Sequence, residues 1–167
     1  MNNLEALVNK IGQIFIWVLI IFAFYCSLII GFSWDEYFHH INGLVRYKYL
    51  TSLGEFTKYD FRNNEFYPGL YDTITYGFGQ IFFLINKKFY VDNLAELMHL
   101  MNVTFASLSI LGLYLITKKI FNKNIATITA VLTLMNPFFF GHMGMNSKDL
   151  IIFFSLIWFC YYFYKYC

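Results

Sequence analysis

The feature that most constrains this chain is an uncharged apolar run of 22 residues, Ile11–Phe32, close to its N-terminus. A helix rises about 1.5 Å per residue, so a run of this length covers the ~30 Å hydrocarbon core of a bilayer. Two adjacent acids, Asp35 and Glu36, follow the run almost at once. The sequence therefore predicts a membrane helix that ends beside two carboxylates at the boundary between lipid and water.

Composition agrees with a membrane protein. The 167 residues are 59% hydrophobic and only 13% charged, which lies outside the range of soluble globular domains. A net charge of +2 is too small to indicate a nucleic-acid partner. The three cysteines lie in or beside apolar runs without metal or redox spacing. We therefore expect the bilayer as a partner and no nucleic acid.

Three further uncharged runs predict additional spans. Residues 97–117 and 124–147 number 21 and 24, and both can cross a bilayer. Pro137 favours an end of the second helix near Asn136, with a loop after it. The last run, Leu150–Tyr164, has only 15 residues and is short for a crossing, so we interpret the chain as the N-terminal piece of a longer protein. The prediction is one all-α membrane domain, residues 1–167, with about four spans at 11–32, 97–117, 124–140 and 150–167.

The run Thr73–Asn86 decides the topology. Its 14 residues favour an interfacial or re-entrant helix over a crossing. The basic turn Lys118–Lys123 should be cytoplasmic. Without a crossing at Thr73–Asn86, the N-terminus is cytoplasmic and residues 33–96 and 141–149 lie outside together. With a crossing, those two segments would face opposite compartments unless the basic turn were moved outside.

The predicted outer loop, residues 33–96, carries amphipathic surface helices. Apolar residues recur at a helical spacing after Asp35, namely Phe38, Ile41, Leu44, Val45 and Tyr49. We expect this face to lie against lipid or the membrane helices, with Asn42 and Arg46 more exposed. Tyr67-Pro68-Gly69 marks a turn before a second surface segment.

Asp35 and Glu36 have two compatible interpretations. Ser33 to Glu36 matches a capping box, in which the glutamate side chain satisfies a backbone N–H at the helix start. Alternatively, the two acids supply a general base, or ligands for a divalent cation such as Mg²⁺ or Mn²⁺, at the membrane surface. A capping residue can be held rigid and still present a carboxylate.

His39 and His40 stand four residues after Asp35 and Glu36. That spacing suggests a metal site, but the zinc-type H-E-x-x-H order is absent. All four side chains cannot share one helix face, so polar contacts on a surface helix are the favoured interpretation.

A second polar cluster follows the Gly-containing turn after Pro137. Asn146 or Ser147 can cap the next helix, with Asp149 in its first turn. The same stretch, with His142 and Lys148 beside a helix N-terminus, is also suited to holding a phosphate group.

The order of these features resembles a known family. It runs through the first membrane helix, Trp34-Asp35-Glu36, Tyr67-Pro68-Gly69-Leu70-Tyr71-Asp72, Met98-His99-Leu100-Met101-Asn102, the Lys118–Lys123 turn, Asn136-Pro137, Phe140-Gly141-His142 and Asn146-Ser147-Lys148-Asp149. The chain is similar to the N-terminal part of bacterial GT-C fold glycosyltransferases, related to the protein mannosyltransferase and aminoarabinose transferase group. It departs from that group at Gly69, where a second proline is common.

The resemblance implies transfer of a sugar from a polyprenyl-phosphate donor to an acceptor on the outer face of the bacterial inner membrane. Asp35 would be the base that deprotonates the acceptor, or would hold a cation that does so, and Glu36 would assist it. Asp149 would be the second acid. The residues that would bind substrate or steady the phosphate are Lys148, His142, Asn146 and His99.

The rival hypothesis is a non-catalytic membrane protein, such as a transporter fragment or an accessory subunit. Acids in the middle of spans would favour a transporter. Here the acids flank the spans, and no span carries the paired Gly and Pro breaks of a discontinuous transport helix. A glycosyltransferase is the favoured function.

Overall fold

The computed structural model describes residues 3–55 and 69–167, in which all regular structure is helical. The helices are α1 Asn3–Ser27, α2 Glu36–Thr51, α3 Leu70–Ile85, α4 Lys87–Asp92, α5 Leu94–Ile120, α6 Lys123–Met135, α7 Pro137–His142 and α8 Ser147–Tyr166. Tyr67 and Pro68, on which the predicted turn rests, lie outside the described residues.

The chain forms two compact units. One comprises the chain up to Ile29 together with His99–Cys167, and the other spans Ile30–Met98. The second unit coincides closely with the predicted outer loop, residues 33–96. Helix α5 begins in this unit and continues in the other.

The first unit is a helical assembly built around small and branched side chains. Its core consists of Ala23, Val103, Ala106, Ile110, Ala130, Leu134, Met143 and Leu150. Helices α1 and α6 pack closely, and a Cβ added at Gly12 would lie 2.5 Å from Cγ2 of Thr127. Small residues at helix contacts are typical of membrane proteins, because they let two helix backbones approach each other.

Two helices of the described residues are long and apolar enough to cross a membrane, Glu5–Ser27 in α1 and the whole of α5. Large apolar side chains on α1 are exposed, including Trp17 at 65% and Ile21 at 66%, which suits contact with lipid. The total of about four spans stays a prediction. Helix α6 ends at Met135, as Pro137 predicts, but the short helix α7 follows at once in place of the expected loop.

The second unit is organised by the packing of α2 against α3. The ambiguous run folds as α3, whose 16 residues rise about 24 Å and fall short of the hydrocarbon core. Its length is therefore that of a helix that does not cross the membrane. Gly43 of α2 lies against the backbone of Asp72, and a Cβ at this position would come within 2.2 Å of the Asp72 carbonyl oxygen.

The predicted orientation of α2 is wrong in one respect. Asn42 is 5% exposed and Arg46 is half-buried, whereas Phe38 is 37% exposed. Val45 is buried as expected. The polar face of α2 turns inward because α3 presents a buried carboxylate, Asp72, that Asn42 and its neighbours can bind. A hydrogen-bonding partner on another helix has overridden the apolar periodicity.

Candidate active site

Glu36 serves as a cap at the start of α2. Its side chain is fully buried, and Oε2 accepts a hydrogen bond of 2.6 Å from the backbone N–H of Ser33. This is the glutamate half of the predicted capping box, and it is confirmed. The carboxylate is therefore turned into the protein, where it holds the turn that precedes the helix.

Asp35 has a different environment from its neighbour. Its side chain is 49% exposed and makes no side-chain hydrogen bond that caps α2. The Ser33 hydroxyl donates to Asp35 Oδ1 over 3.2 Å. Of the two adjacent acids, Asp35 is the one whose carboxylate can meet a substrate.

A buried polar network lies between α2 and α3. Asp72 is 4% exposed and His39 is 3% exposed. His39 Nδ1 lies 3.0 Å from Oδ1 and 3.1 Å from Oδ2 of Asp72. Asn42 donates to Asp72 Oδ2 over 2.5 Å, and Arg46 Nε donates to Asn42 Oδ1 over 3.1 Å. Buried polar groups of this kind persist because each is hydrogen-bonded to another.

This network reaches the exposed acid. The other ring nitrogen of His39, Nε2, lies 3.7 Å from Oδ2 of Asp35. Asp35, His39 and Asp72 thus form a series in which a histidine stands between an exposed and a buried carboxylate. The sequence predicts the Asp35–His39 pair by its spacing of four residues, but it places the histidine on a surface and not in a buried contact.

Asp72 is the member of the site that sequence reasoning missed. It stands in the first helical turn of α3, 33 residues from His39, and no local spacing connects the two. The feature of the sequence that could have indicated Asp72 is its position as a lone acid between Tyr71 and the uncharged run of α3. Burial raises the pKa of Tyr71 above its ordinary value, which marks the same surroundings as dry.

His40 does not belong to this series. The centroid of its ring lies 5.3 Å from the centroid of the Tyr76 ring. Burial lowers the pKa of His40 below its ordinary value. The neighbouring histidines therefore have separate environments on α2.

The side chains around Asp35 bear on whether a metal ion could bind there. No group of three His, Cys, Asp or Glu side chains within the described residues is arranged to hold a metal ion. The carboxylate of Glu36 is already engaged with the Ser33 amide. A cation at Asp35 and Glu36 stays a prediction.

The N-terminus of α8 is capped by Asn146. Its side-chain oxygen accepts a hydrogen bond of 3.0 Å from the Asp149 N–H, and its amide donates to Asp149 Oδ2 over 2.7 Å. Of the two predicted caps, Asn146 is confirmed, whereas Ser147 is buried. Asp149 is exposed and held in position by this reciprocal pair.

His142 precedes that cap by one turn. Its carbonyl accepts a hydrogen bond of 3.0 Å from the Asn146 N–H. The centroid of its ring lies 4.3 Å from the centroid of the Phe138 ring. Lys148 is half-exposed in the first turn of α8. The predicted phosphate-binding residues of this region therefore lie together in one turn and the helix start that follows it.

His99 is buried elsewhere in the same unit. It is fully buried in α5, with Nδ1 3.0 Å from the Ser27 carbonyl oxygen at the end of α1. Nearby, Asn102 donates to the Gly144 carbonyl over 2.8 Å. In this structure His99 joins two helices, and its role in binding phosphate stays a prediction.

The candidate residues fall into two groups. Asp35, Glu36, His39 and Asp72 belong to the Ile30–Met98 unit, whereas the set around α8 and His99 belongs to the other unit. Within each unit the neighbouring candidates are in contact or in one segment. That the two groups face the same side of the membrane is a prediction of the topology.

A comparison with known families identifies the chain. A family model for dolichyl-phosphate-mannose-protein mannosyltransferases matches residues 80–167, slightly more than half of the sequence. The chain belongs to this family. The dolichyl-phosphate-mannose-protein mannosyltransferases are a GT-C fold family, so the resemblance found in the sequence is confirmed. No curated protein and no solved structure matches the chain.

The mannosyltransferase match covers one of the two groups of candidate residues. It begins within α3 and includes the turn with His142 and the start of α8 with Lys148 and Asp149. Asp35 and His39 precede the matched residues. The part of the site around Asp35 thus rests on the geometry of α2 and α3.

Proposed function

We propose that this chain acts as a membrane glycosyltransferase of the GT-C type. The enzyme transfers a sugar from a polyprenyl-phosphate donor to an acceptor on the extracytoplasmic side of a bacterial inner membrane. The family membership supports a sugar transferase over a transporter fragment or an accessory subunit. The observation that carries the proposal is the half-exposed Asp35 carboxylate, held at the start of α2 beside a buried His39–Asp72 pair.

Asp35 acts as the general base. Its carboxylate takes the proton from the acceptor group, and the electron pair left on the acceptor forms a bond to the anomeric carbon of the sugar. The bond from that carbon to the phosphate oxygen breaks, and polyprenyl phosphate departs with its electron pair. Glu36 assists by fixing the turn that carries Asp35.

The start of α8 supports the leaving group. A helix of 20 residues presents a positive dipole end and backbone N–H groups at its N-terminus. Lys148 adds a charge, and His142 adds a ring nitrogen from the preceding turn. Together they stabilise the growing negative charge on the phosphate. Asp149 is the second acid, and its carboxylate binds hydroxyl groups of the substrates.

The direct test uses the protein expressed from its complete reading frame and reconstituted in lipid vesicles. Polyprenyl-phosphate mannose labelled in the sugar is the donor probe, and envelope protein and lipid fractions are the acceptors. We expect labelled acceptor together with an equal amount of released polyprenyl phosphate. An inactive Asp35→Asn preparation separates this activity from that of contaminants. Absence of transfer by a folded, correctly inserted protein with this donor would reject the donor class.

A further inference from the structure

His39 is bound so that each ring nitrogen faces a different carboxylate. Nδ1 lies 3.0 Å from Asp72, and Nε2 lies 3.7 Å from Asp35. Nδ1 is therefore in hydrogen-bond contact with the buried carboxylate, and Nε2 is at ion-pair distance from the exposed one. The ring stands between two carboxylates.

Asp72 is suited to holding that ring in place. Its carboxylate is buried, and its two oxygens receive the His39 ring and the Asn42 amide. Arg46 holds Asn42 in turn through its Nε–H. Interactions of buried charges are weakly screened by water, so this arrangement fixes the orientation of the ring.

The ring is also directed toward the reacting group. Asp35 is half-exposed, whereas the His39 side chain is 3% exposed. A histidine needed only to join α2 to α3 would be satisfied by the contact with Asp72. Here the remaining nitrogen lies on the side of the exposed acid, within one helical turn of it.

We propose that His39, held by Asp72, is the positioning residue for the Asp35 carboxylate. The proposal rests on the proposed function, because it assigns a role within the same site. His39 orients the Asp35 carboxylate toward the acceptor through Nε2, which lies 3.7 Å from Asp35 Oδ2. Asp72 acts through His39 and does not touch the substrate.

Two substitutions at His39 separate this role from a structural one. In His39→Asn the amide takes the place of Nδ1, which keeps the contact with Asp72 and removes the group facing Asp35. In His39→Gln the amide reaches the place of Nε2, which keeps a donor near Asp35 and gives up the contact with Asp72. A positioning role predicts that kcat suffers more in His39→Asn, whereas a structural role predicts the greater damage in His39→Gln.

The measurement is mannose transfer from labelled polyprenyl-phosphate mannose by the full protein in vesicles, per amount of folded protein. We expect kcat of His39→Asn and Asp72→Asn to fall about 10–100-fold, the scale found when a residue that orients a metal-binding side chain is changed. KM for the donor should stay at the parent value. His40→Asn is the matched control and should keep the parental kcat.

A double variant completes the test. If His39 acts through Asp35, then Asp35→Asn combined with His39→Asn should be no slower than Asp35→Asn alone, since residues that act as a unit are not additive. Should Asp72→Asn fail to accumulate, the two His39 variants decide the question.

The possible failures are distinguishable. If Asp35→Asn is inactive but His39→Asn keeps the parental kcat, the positioning role is overturned and the base assignment stands. A greater loss of kcat in His39→Gln than in His39→Asn would also overturn it. If Asp35→Asn itself transfers mannose at the parent rate, the base assignment under the proposed function fails.

Discussion

Adjacent residues of the same charge can have unrelated roles when a helix begins between them. Asp35 stands at the N-cap of α2 with an exposed carboxylate, whereas Glu36 turns inward to the Ser33 amide. The sequence motif predicts the cap but leaves open which acid is available for chemistry. The burial of each side chain answers that question, and burial depends on tertiary packing, which local spacing does not reveal.

Replacing Asp35 should therefore mainly lower turnover, whereas replacing Glu36 should mainly lower thermal stability. Asp35→Asn keeps the shape of the side chain and removes the base, so turnover should fall about 10²–10⁴-fold with little change in thermal stability. Glu36→Ala removes a capping interaction worth about 1 kcal/mol, and its main effect should be a lower melting temperature. Turnover and melting in detergent test both variants, with Asp92→Asn, at an exposed position of α4, as the control. An active Asp35→Asn with a lowered melting temperature would reverse the assignment.

His40 should contribute a measurable pH dependence to stability. Burial lowers its pKa in the folded protein below the ordinary value of 6.5. As the pH falls below that value, the unfolded chain takes up a proton that the folded protein resists, so stability decreases with acidification. Melting temperatures measured between neutral and mildly acidic pH should therefore fall less in His40→Gln than in the parent. Equal losses in the two proteins would show that His40 does not carry this dependence.

At the scale of helices, the sequence predicts where a helix forms better than it predicts which face of the helix is buried. The uncharged runs predict α1 and α5, and Pro137 predicts the end of α6 before Asn136. Both features depend on residues that are close together in the sequence. The inward face of α2 is the exception. Asn42 is drawn into the interface by Asp72, and the pairing of distant polar residues cannot be read from a period of 3.6. The same limitation hid Asp72 from the predicted site.

The contact of α2 with α3 depends on Gly43. Because an added Cβ would meet the Asp72 carbonyl oxygen at 2.2 Å, Gly43→Ala must push the helices apart, at a cost of about 1–3 kcal/mol. The displacement also moves Asp72 from His39, so turnover should fall together with the melting temperature. Gly31→Ala is the matched control, since a Cβ there meets nothing within 4 Å. A parental melting temperature and turnover for Gly43→Ala would show that the close approach is unimportant.

At the scale of the whole molecule, catalysis that uses both candidate acids depends on which side of the membrane each acid faces. Asp35 lies in the Ile30–Met98 unit, and Asp149 lies in the other. The sequence brings them to one side through two features, the short α3 and the basic turn at Lys118–Lys123. Both acids can serve one enzyme only if that topology holds.

Cysteine labelling tests this claim most directly. Single cysteines are placed at the exposed positions Asp92, Gly141 and Phe121 after the three native cysteines are replaced. A membrane-impermeant maleimide is then added to intact, right-side-out cells, and to opened membranes as the control for reactivity. We expect positions 92 and 141 to react from outside and position 121 to react only after opening. Labelling of positions 92 and 141 from opposite sides would contradict the prediction that Asp35 and Asp149 both face the outside.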